Sequence, residues 1–257
     1  MMISVGLIQS DIQPHKMEEN LQHYEALLSK NIQKPVDLLV FPEMFACGFS
    51  PSLREEAEQM DGKSISFLQQ TAQRYHSNVV ASLPILEGDK VVNRLVWLSP
   101  EGLCGQYDKK HLFFGDEERI CTPGTARTIV QTLGYKFFPL ICFDVRFPKW
   151  SCNHYSEAGF AYDCLVYIAN FPAPREQMLL KLAAARAIEN QAYVLVANRI
   201  GTDGNGFAHQ GGTAVIHPNG EIVKMADMNV EQVLLCDLDF DQLQTLRNRF
   251  PVAEMWD

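Results

Sequence analysis

One cysteine of this chain stands where a nucleophile would be placed. The apolar run at 137–141 leads into Cys142, and a polar stretch that ends in proline follows at 143–148. The run predicts a buried strand, and the stretch after it predicts a sharp turn. A thiol at such a corner projects from the sheet edge, as the serine does in the elbow of α/β hydrolases. Because cysteine is also often simply buried in a core, position alone leaves both interpretations open.

Two charged side chains also follow apolar segments. Glu43 comes directly after the apolar segment 36–41, and apolar surroundings raise the pKa of a carboxylate and suit it to accept a proton near neutral pH. Lys109 follows a strand and a turn, and its ammonium group suits the stabilisation of an oxyanion. Each residue has an ordinary alternative. Glu43 could cap a helix or lie at the surface, and Lys109, next to Lys110, could belong to a solvated loop.

Histidine gives weaker indications of chemistry. His111 is the obvious partner for a cysteine–histidine dyad, but nothing near it in the sequence orients its ring, and we interpret it as structural. None of the seven histidines in the sequence has the spacing H-E-x-x-H or a similar ligand pattern. The sequence therefore predicts no metal site.

The elements that position these residues alternate between strands and helices. Strands are predicted at 2–9, 36–41, 78–83, 91–98, 127–132, 136–142, 163–169, 192–198, 211–217, 221–225 and 232–238. Helices are predicted at 17–28, 64–75 (with Ser64 as its N-cap), 175–190 and 239–249. This alternation predicts an α/β fold in which helices cover the sheets, as one domain over residues 1–257.

Composition limits the class of protein. A length of 257 residues with 47% hydrophobic content suits one large domain with a well-filled core. No segment approaches the roughly 20 apolar residues of a membrane span, and the N-terminal residues lack the features of a signal peptide. We therefore expect a cytoplasmic protein with no membrane partner.

Charge and cysteine usage narrow the partners and the compartment. A net charge of −9 argues against nucleic acid, whose phosphates need a basic surface. The seven cysteines are odd in number and contain no C-x-x-C pair, which argues against a disulfide framework or a zinc ribbon. Free thiols in a reducing compartment fit best.

Three motifs occur in order, each at the predicted end of a strand: F-P-E-M at 41–44, Y-D-K-K-H-L-F at 107–113 and I-C-F-D-V-R-F-P at 141–148. Together they resemble the motifs of the carbon–nitrogen hydrolase (nitrilase) superfamily, and the resemblance continues through 187–193 to the turn at 217–221. It implies a four-layer α-β-β-α sandwich without a cofactor. It also implies a homodimer or a higher homo-oligomer, assembled through the helical face beside the active site.

The resemblance also implies catalytic roles. Glu43 would be the general base, Cys142 the nucleophile, and Lys109, with the backbone N–H of Phe143, the stabiliser of the oxyanion. Lys109 is preferred to its neighbour because the family's lysine stands two residues before His-Leu-Phe. Many members carry a second glutamate, for which Glu117 fits best and the adjacent Glu118 is the alternative.

Within the superfamily, the stretches 107–113, 142–148, 169–175 and 185–191 most resemble omega-amidases. These enzymes hydrolyse the terminal amide of short dicarboxylate monoamides, such as 2-oxoglutaramate and succinamate, and the family chemistry implies a thioester intermediate. A substrate with a free carboxylate favours an arginine partner, for which Arg175 is a candidate. Arg146 is instead expected to brace the elbow through Asp144 or a carbonyl. Asn170 would either bind substrate or satisfy a turn.

Several alternatives remain open at this point. Four phenylalanines either wall a small pocket or pack in the core: Phe45, Phe114, Phe143 and Phe171. An N-carbamoyl-amine or aliphatic amide hydrolase would use the same Glu-Lys-Cys triad with a different pocket. A non-catalytic binding protein is the more distant alternative, because such a protein would be free to lose the triad. A nitrile substrate is disfavoured by the amidase-like flanks of Cys142.

Overall fold

Two six-stranded β-sheets form the centre of the computed structural model, which describes residues 2–256. In chain order the strands are β1 (Met2–Gln9), β2 (Leu38–Val40), β3 (Asn78–Glu87), β4 (Lys90–Ser99), β5 (Gly102–Asp108), β6 (Val130–Thr132), β7 (Tyr135–Ile141), β8 (Tyr155–Ser156), β9 (Gly159–Phe160), β10 (Cys164–Ala169), β11 (Tyr193–Asn198), β12 (Ile200–Thr202), β13 (Ala208–Gln210), β14 (Ala214–Ile216), β15 (Ile222–Met225) and β16 (Gln232–Asp239).

The helices are α1 (Met17–Asn31), α2 (Lys63–Tyr75), α3 (Asp116–Ile120), α4 (Pro148–Ser151), α5 (Glu176–Asn190) and α6 (Phe240–Arg249). Short 3₁₀ turns span Cys142–Arg146, Ala173–Arg175 and Val252–Met255. Between residues 2 and 256, no helix is long and apolar enough to cross a membrane.

Each sheet has a parallel centre flanked by antiparallel strands. The first sheet has the order β16-β1-β2-β3-β4-β5, and the second has the order β15-β14-β11-β10-β7-β6. Strands β1, β2 and β3 are parallel to one another, as are β7, β10 and β11. In open sheets of this kind, ligands bind beyond the carboxyl ends of the parallel strands. Glu43, Cys142 and Asn170 follow β2, β7 and β10 at those ends.

Alternation along the strands produces four layers. Leu38 and Val40 of β2 pack with Leu140 of β7 in one core cluster between the sheets. Leu39 points the other way and packs with Leu28 of α1, because successive strand side chains face opposite sides of a sheet. Helix α5 covers the second sheet with Leu179, Ala183 and Ala187. The predicted α-β-β-α sandwich is therefore confirmed.

The start of helix α2 differs from the prediction. Its N-cap residue is Gly62, not Ser64, and Ser64 lies inside the first turn with a buried hydroxyl. The carboxylate of Glu58 accepts a hydrogen bond from the Ser64 N–H at 3.1 Å. The side chain of Glu58, which lies outside the helix, therefore accepts the hydrogen bond at the helix start, where the sequence analysis had predicted that Ser64 would be the cap.

The strand predicted at 211–217 is shorter in the structure and spans Ala214–Ile216. Gly211 and Gly212 have φ values of 100° and 91°, a left-handed backbone that does not continue a strand. A side chain at Gly211 would also collide with Gln9. The two glycines therefore interrupt the extended backbone before β14.

Candidate active site

Cys142 lies at a strained corner. It follows the last residue of β7, has a φ of +44° and opens the turn Cys142–Arg146. Left-handed conformations of non-glycine residues persist only where the surroundings enforce them. Asp144 supplies part of that constraint, because its carboxylate accepts the N–H of Ile141 at 3.1 Å.

Asp144 also joins the elbow to the segment that carries the lysine. Its carboxylate accepts a hydrogen bond from the Tyr107 hydroxyl at 2.7 Å. It further accepts the N–H of His111 at 3.1 Å and lies 2.7 Å from Nδ1 of that ring. The expectation that Arg146 braces the elbow through Asp144 is wrong. Tyr107 of β5 and His111 of the loop after it occupy Asp144, whereas the exposed guanidinium of Arg146 lies 2.7 Å from the sulfur of Met178.

Lys109 lies between two buried carboxylates. Its Nζ donates to Oε1 of Glu43 at 2.8 Å and to both oxygens of Glu117 at 2.9 and 2.8 Å. Lys109 is 1% exposed, Glu43 is fully buried and Glu117 is 3% exposed. Glu118, the alternative second glutamate, is exposed to solvent. The structure thus brings together Glu43, Lys109 and Glu117, and leaves Glu118 outside.

Asn93 of β4 belongs to the same cluster, and the sequence analysis missed it. Its side-chain amide donates to Glu43 and to Glu117, each at 2.8 Å. The backbone carbonyl of Asn93 also accepts the backbone N–H of Lys109 at 2.9 Å. The sequence did contain one indication of this role, because Asn93 is a polar residue within a largely apolar strand, and a buried amide needs hydrogen-bond partners.

The second carboxylate oxygen of Glu43 and the pKa of this group concern the side of the site that holds Cys142. Oε2 of Glu43 accepts the N–H of Asn170 at 2.9 Å, and the nearby thiol of Cys142 contributes to lowering the pKa of the carboxyl. Burial raises the pKa of Glu43, and the charge of Lys109 opposes that rise. The carboxyl group therefore titrates above its ordinary range, as a general base near neutral pH requires.

The pKa values of the other two members of the triad are also raised. Burial and the charge of Glu43 hold the pKa of Cys142 well above its ordinary value, so the sulfur keeps its proton before substrate arrives. Burial alone would lower the pKa of Lys109, but Glu117 and Glu43 outweigh it and raise that pKa well above its usual value. The site thus holds a neutral thiol, a proton acceptor and a permanent cation.

A cavity of about 460 Å³ opens above the triad. Phenylalanines form much of its wall: Phe49, Phe113, Phe114, Phe143, Phe171 and Phe207. Phe114, Phe143 and Phe171 were among the predicted pocket residues. For Phe45 the core alternative holds, because its ring packs against Tyr24 and Phe41 on the outer face of the first sheet.

Polar side chains complete the wall. The guanidinium of Arg175 lies 4.7 Å from the ring centre of Phe113, with no carboxylate partner among the described residues. Arg119, by contrast, is paired with Asp116. The side-chain amide of Asn170 is buried, and neither of its polar atoms has a hydrogen-bond partner within residues 2–256. Its side chain therefore does not satisfy a turn.

The far wall includes residues to which the sequence analysis gave no role. Asp203, Asn205 and His209 line the cavity, and they come from a glycine-rich loop and the short strand β13. No pattern in the sequence connects this loop with Cys142. Across residues 2–256, no group of three or more His, Cys, Asp or Glu side chains is arranged to hold a metal ion.

The chain is similar to known proteins over nearly its whole length. The family model described as carbon-nitrogen hydrolase matches residues 4–248. Omega-amidase YafV of Escherichia coli K12 is 35% identical over 250 residues, which cover 97% of this chain and 94% of that protein. The 2-oxoglutaramate amidase of Bacillus subtilis 168 is 30% identical over 256 residues, which cover 98% of this chain and 96% of that protein.

A solved structure is also closely similar. It is a CN-hydrolase superfamily protein from Xanthomonas campestris, with an arsenic adduct in its active site, at 32% sequence identity. The two superpose with a TM-score of 0.96, covering 100% of this chain and 98% of that one.

Proposed function

Because this chain belongs to the carbon–nitrogen hydrolase family, we propose that it hydrolyses the terminal amide of short dicarboxylate monoamides through a thioester on Cys142. The names of the similar proteins, omega-amidase and 2-oxoglutaramate amidase, support an amidase with this substrate class. The observation that carries the proposal is that Glu43, Lys109 and Cys142 line the same cavity, with Lys109 donating a hydrogen bond to Glu43 at its base.

The first half of the reaction acylates the enzyme. Glu43 takes the thiol proton while the sulfur of Cys142 attacks the amide carbon, and the carbonyl oxygen becomes an oxyanion. Lys109 and the N–H of Phe143 stabilise that oxygen. As the C–N bond breaks, Glu43 passes its proton to the leaving nitrogen, and ammonia departs. The acyl group remains on sulfur as a thioester.

The second half releases the acid. Water enters where ammonia left, and Glu43 takes one of its protons while the oxygen attacks the thioester carbon. Lys109 and the N–H of Phe143 also stabilise the oxyanion that forms in this second attack. When the C–S bond breaks, Glu43 returns the proton to sulfur, and the carboxylic acid leaves. Each step uses the raised pKa of Glu43, because the same group must accept and then release a proton.

The far end of the substrate needs recognition of its carboxylate. Arg175 is our candidate, because its guanidinium lines the cavity over Phe113 without a carboxylate partner among the described residues. The side chain of Asn170, with its unpaired buried amide, is the candidate for a hydrogen bond to the reacting amide. Both assignments suit a small-molecule amide that carries a free carboxylate.

The test is ammonia release from 2-oxoglutaramate, succinamate, glutamine and an N-carbamoyl amino acid, with wild type and Cys142→Ala. We expect turnover of the first two substrates, its loss in the variant, and an acyl adduct on Cys142 by mass spectrometry. Cys152→Ala is the matched control, because that cysteine is exposed on the surface and should be replaceable without effect. Turnover of the carbamoyl compound alone would keep the triad and contradict the substrate class.

We also infer assembly into at least a homodimer and a cytoplasmic location. Apolar side chains are exposed on and near the helical layer at Met178, Ile188 and Phe250, and burial of such surface favours association. Light scattering on the purified protein tests the dimer, and Ile188→Asp should shift it toward monomer.

The inferred cytoplasmic location is supported by the seven cysteines, which are all free and suit a reducing compartment. Cell fractionation tests this location.

A further inference from the structure

We propose that His209, held by Asp203, donates a hydrogen bond to the 2-oxo oxygen of the substrate and so selects 2-oxo acid amides. This inference rests on the proposed function and deepens it. It assigns a specificity role to a part of the cavity wall that the triad mechanism does not use.

The first observation is an unpaired nitrogen. His209 is 3% exposed and lines the catalytic cavity. Its Nε2 lies 3.1 Å from Oδ2 of Asp203. Its Nδ1 is buried and has no hydrogen-bond partner among the described residues. A buried polar atom without a partner costs free energy, so a ligand group that pairs with Nδ1 would remove that cost.

The second observation is that Asp203 is fixed. Its Oδ1 accepts the N–H of Phe207 at 2.9 Å and that of Asn205 at 3.0 Å. The next residue, Gly204, donates its N–H to the carbonyl of Phe49 at 2.9 Å. Burial alone would raise the pKa of Asp203, but hydrogen bonds from His209 and Phe207 lower it. The carboxylate is therefore charged and orients the imidazole through Nε2.

The third observation places His209 next to the proposed carboxylate site. The Cα atoms of β13, which carries His209, come within 8 Å of those of the turn Ala173–Arg175. Gln210, the next residue, donates to Glu176 at 3.3 Å and ties the strand to the start of α5. His209 and Arg175 therefore come from neighbouring elements of the cavity wall.

Substrate chemistry then selects the oxo group. With the amide at Cys142 and the carboxylate at Arg175, the atom beside the carboxylate is carbon 2 of the substrate. In 2-oxoglutaramate that carbon carries an oxygen that only accepts hydrogen bonds. The proposed contact uses the doubly protonated imidazole, whose two N–H groups can donate at the same time. One can therefore serve Asp203 while the other serves the oxo oxygen.

The experiment compares 2-oxoglutaramate with glutaramate, which has the same chain without the oxo group. Wild type, His209→Phe and His209→Gln are assayed for kcat and KM on both amides. We expect wild type to prefer the oxo substrate, and His209→Phe to lose about tenfold to a hundredfold of that preference, the range expected for a hydrogen bond to a charged donor. His209→Gln keeps an N–H donor and should recover part of the preference.

Several outcomes separate the two proposals. If wild type releases ammonia from neither amide, the proposed function fails. If His209→Phe slows both amides equally, or leaves the preference unchanged, the function stands and the oxo assignment is wrong. His23→Gln, an exposed histidine paired with Glu231, is the control and should leave the preference unchanged. Circular dichroism and the acyl adduct on Cys142 confirm that each variant is folded and able to react.

Discussion

A single residue, Glu43, should determine how the activity falls at acid pH. Its pKa is raised by burial, and as the base it must be ionised to act. Activity should therefore fall as pH drops through that raised value, above the ordinary range of a glutamate, and recover as pH rises. Measured kcat/KM against pH reports this pKa for the free enzyme, as a property of the coupled cluster with Lys109 and Glu117.

The alkaline side of the same profile should be flat near neutrality. The pKa of Lys109 lies well above its ordinary value, so the cation persists as pH rises. An acid limb at the ordinary pKa of a carboxylate, or a loss of activity just above neutral pH, would contradict these assignments.

The two adjacent glutamates of α3 make a matched pair. Glu117 is buried on Lys109 and also accepts the N–H of Phe113 at 2.7 Å, whereas Glu118 is exposed. Glu117→Gln should lower kcat by about 10² or more, because the oxyanion donor loses the partner that orients it. Glu118→Gln should leave steady-state kinetics unchanged. Equal effects of the two substitutions would contradict the assignment of the second glutamate.

Arg175 should act on binding and not on the chemical step. Arg175→Gln removes the proposed partner of the substrate carboxylate, and KM should rise about tenfold to a hundredfold, the range for a hydrogen bond to a charged group. The value of kcat should change less. Arg146→Gln is the comparison, because that side chain lines the same cavity and contacts Met178. A larger KM effect there would transfer the carboxylate contact to Arg146.

Three ordered motifs and the family that they resemble, and not residue type alone, predicted the triad. Glu43, Lys109 and Cys142 carry recognisable motifs, and the structure places them in contact or close to it. Asn93 and His209 were not predicted, because each acts through contacts with residues distant in the sequence. A polar residue within a strand indicates that a partner is needed, but not which partner it is.

A network of hydrogen bonds around Tyr107 connects the secondary-structure elements that hold the turn after β7 in place. The hydroxyl of Tyr107 donates to Asp144, and it accepts from the N–H of Lys110 at 3.1 Å and from the indole of Trp150 at 3.0 Å. This one side chain of β5 thus connects the turn after β7, the lysine segment and α4. We regard Tyr107 as a positioning residue for Cys142 and Lys109.

Tyr107→Phe should therefore lower both stability and kcat. Removal of the hydroxyl leaves two donors and one carboxylate oxygen with fewer partners, a cost of about 1–3 kcal/mol in the free energy of unfolding. Urea denaturation measures that cost, and steady-state kinetics should show kcat falling more than KM changes. Tyr155→Phe, at an exposed tyrosine, is the control. Loss of stability with an unchanged kcat would mean that Tyr107 is structural only.

Short elements escaped the sequence analysis for a physical reason. Helix α3 spans Asp116–Ile120, which is too short to show a helical period of apolar residues. It nevertheless carries Glu117 into the site. The longer elements were found because their apolar periodicity reflects a face that packs against a sheet, as in α1 and β1.

At the scale of the whole molecule, the fold separates stability from chemistry. The core between the sheets is built from strand interiors, and the triad stands where those strands end. Glu43, from the first sheet, donates its N–H to the carbonyl of Ala169 in the second sheet at 3.3 Å. The two parallel centres therefore meet at the site.

Leu7→Ala tests this separation. Leu7 is fully buried in the core between the sheets, and its truncation should cost about 2–5 kcal/mol in the free energy of unfolding through lost burial and a residual cavity. Leu103→Ala, at a leucine 51% exposed on β5, should cost far less. Below the unfolding transition of Leu7→Ala, kcat should remain near the wild-type value, because the register of β1 is held by its backbone pairing with β16 and β2 and not by the Leu7 side chain. A kcat that falls in proportion to the lost stability would mean instead that the spacing of the two sheets controls the contact between Glu43 and Cys142.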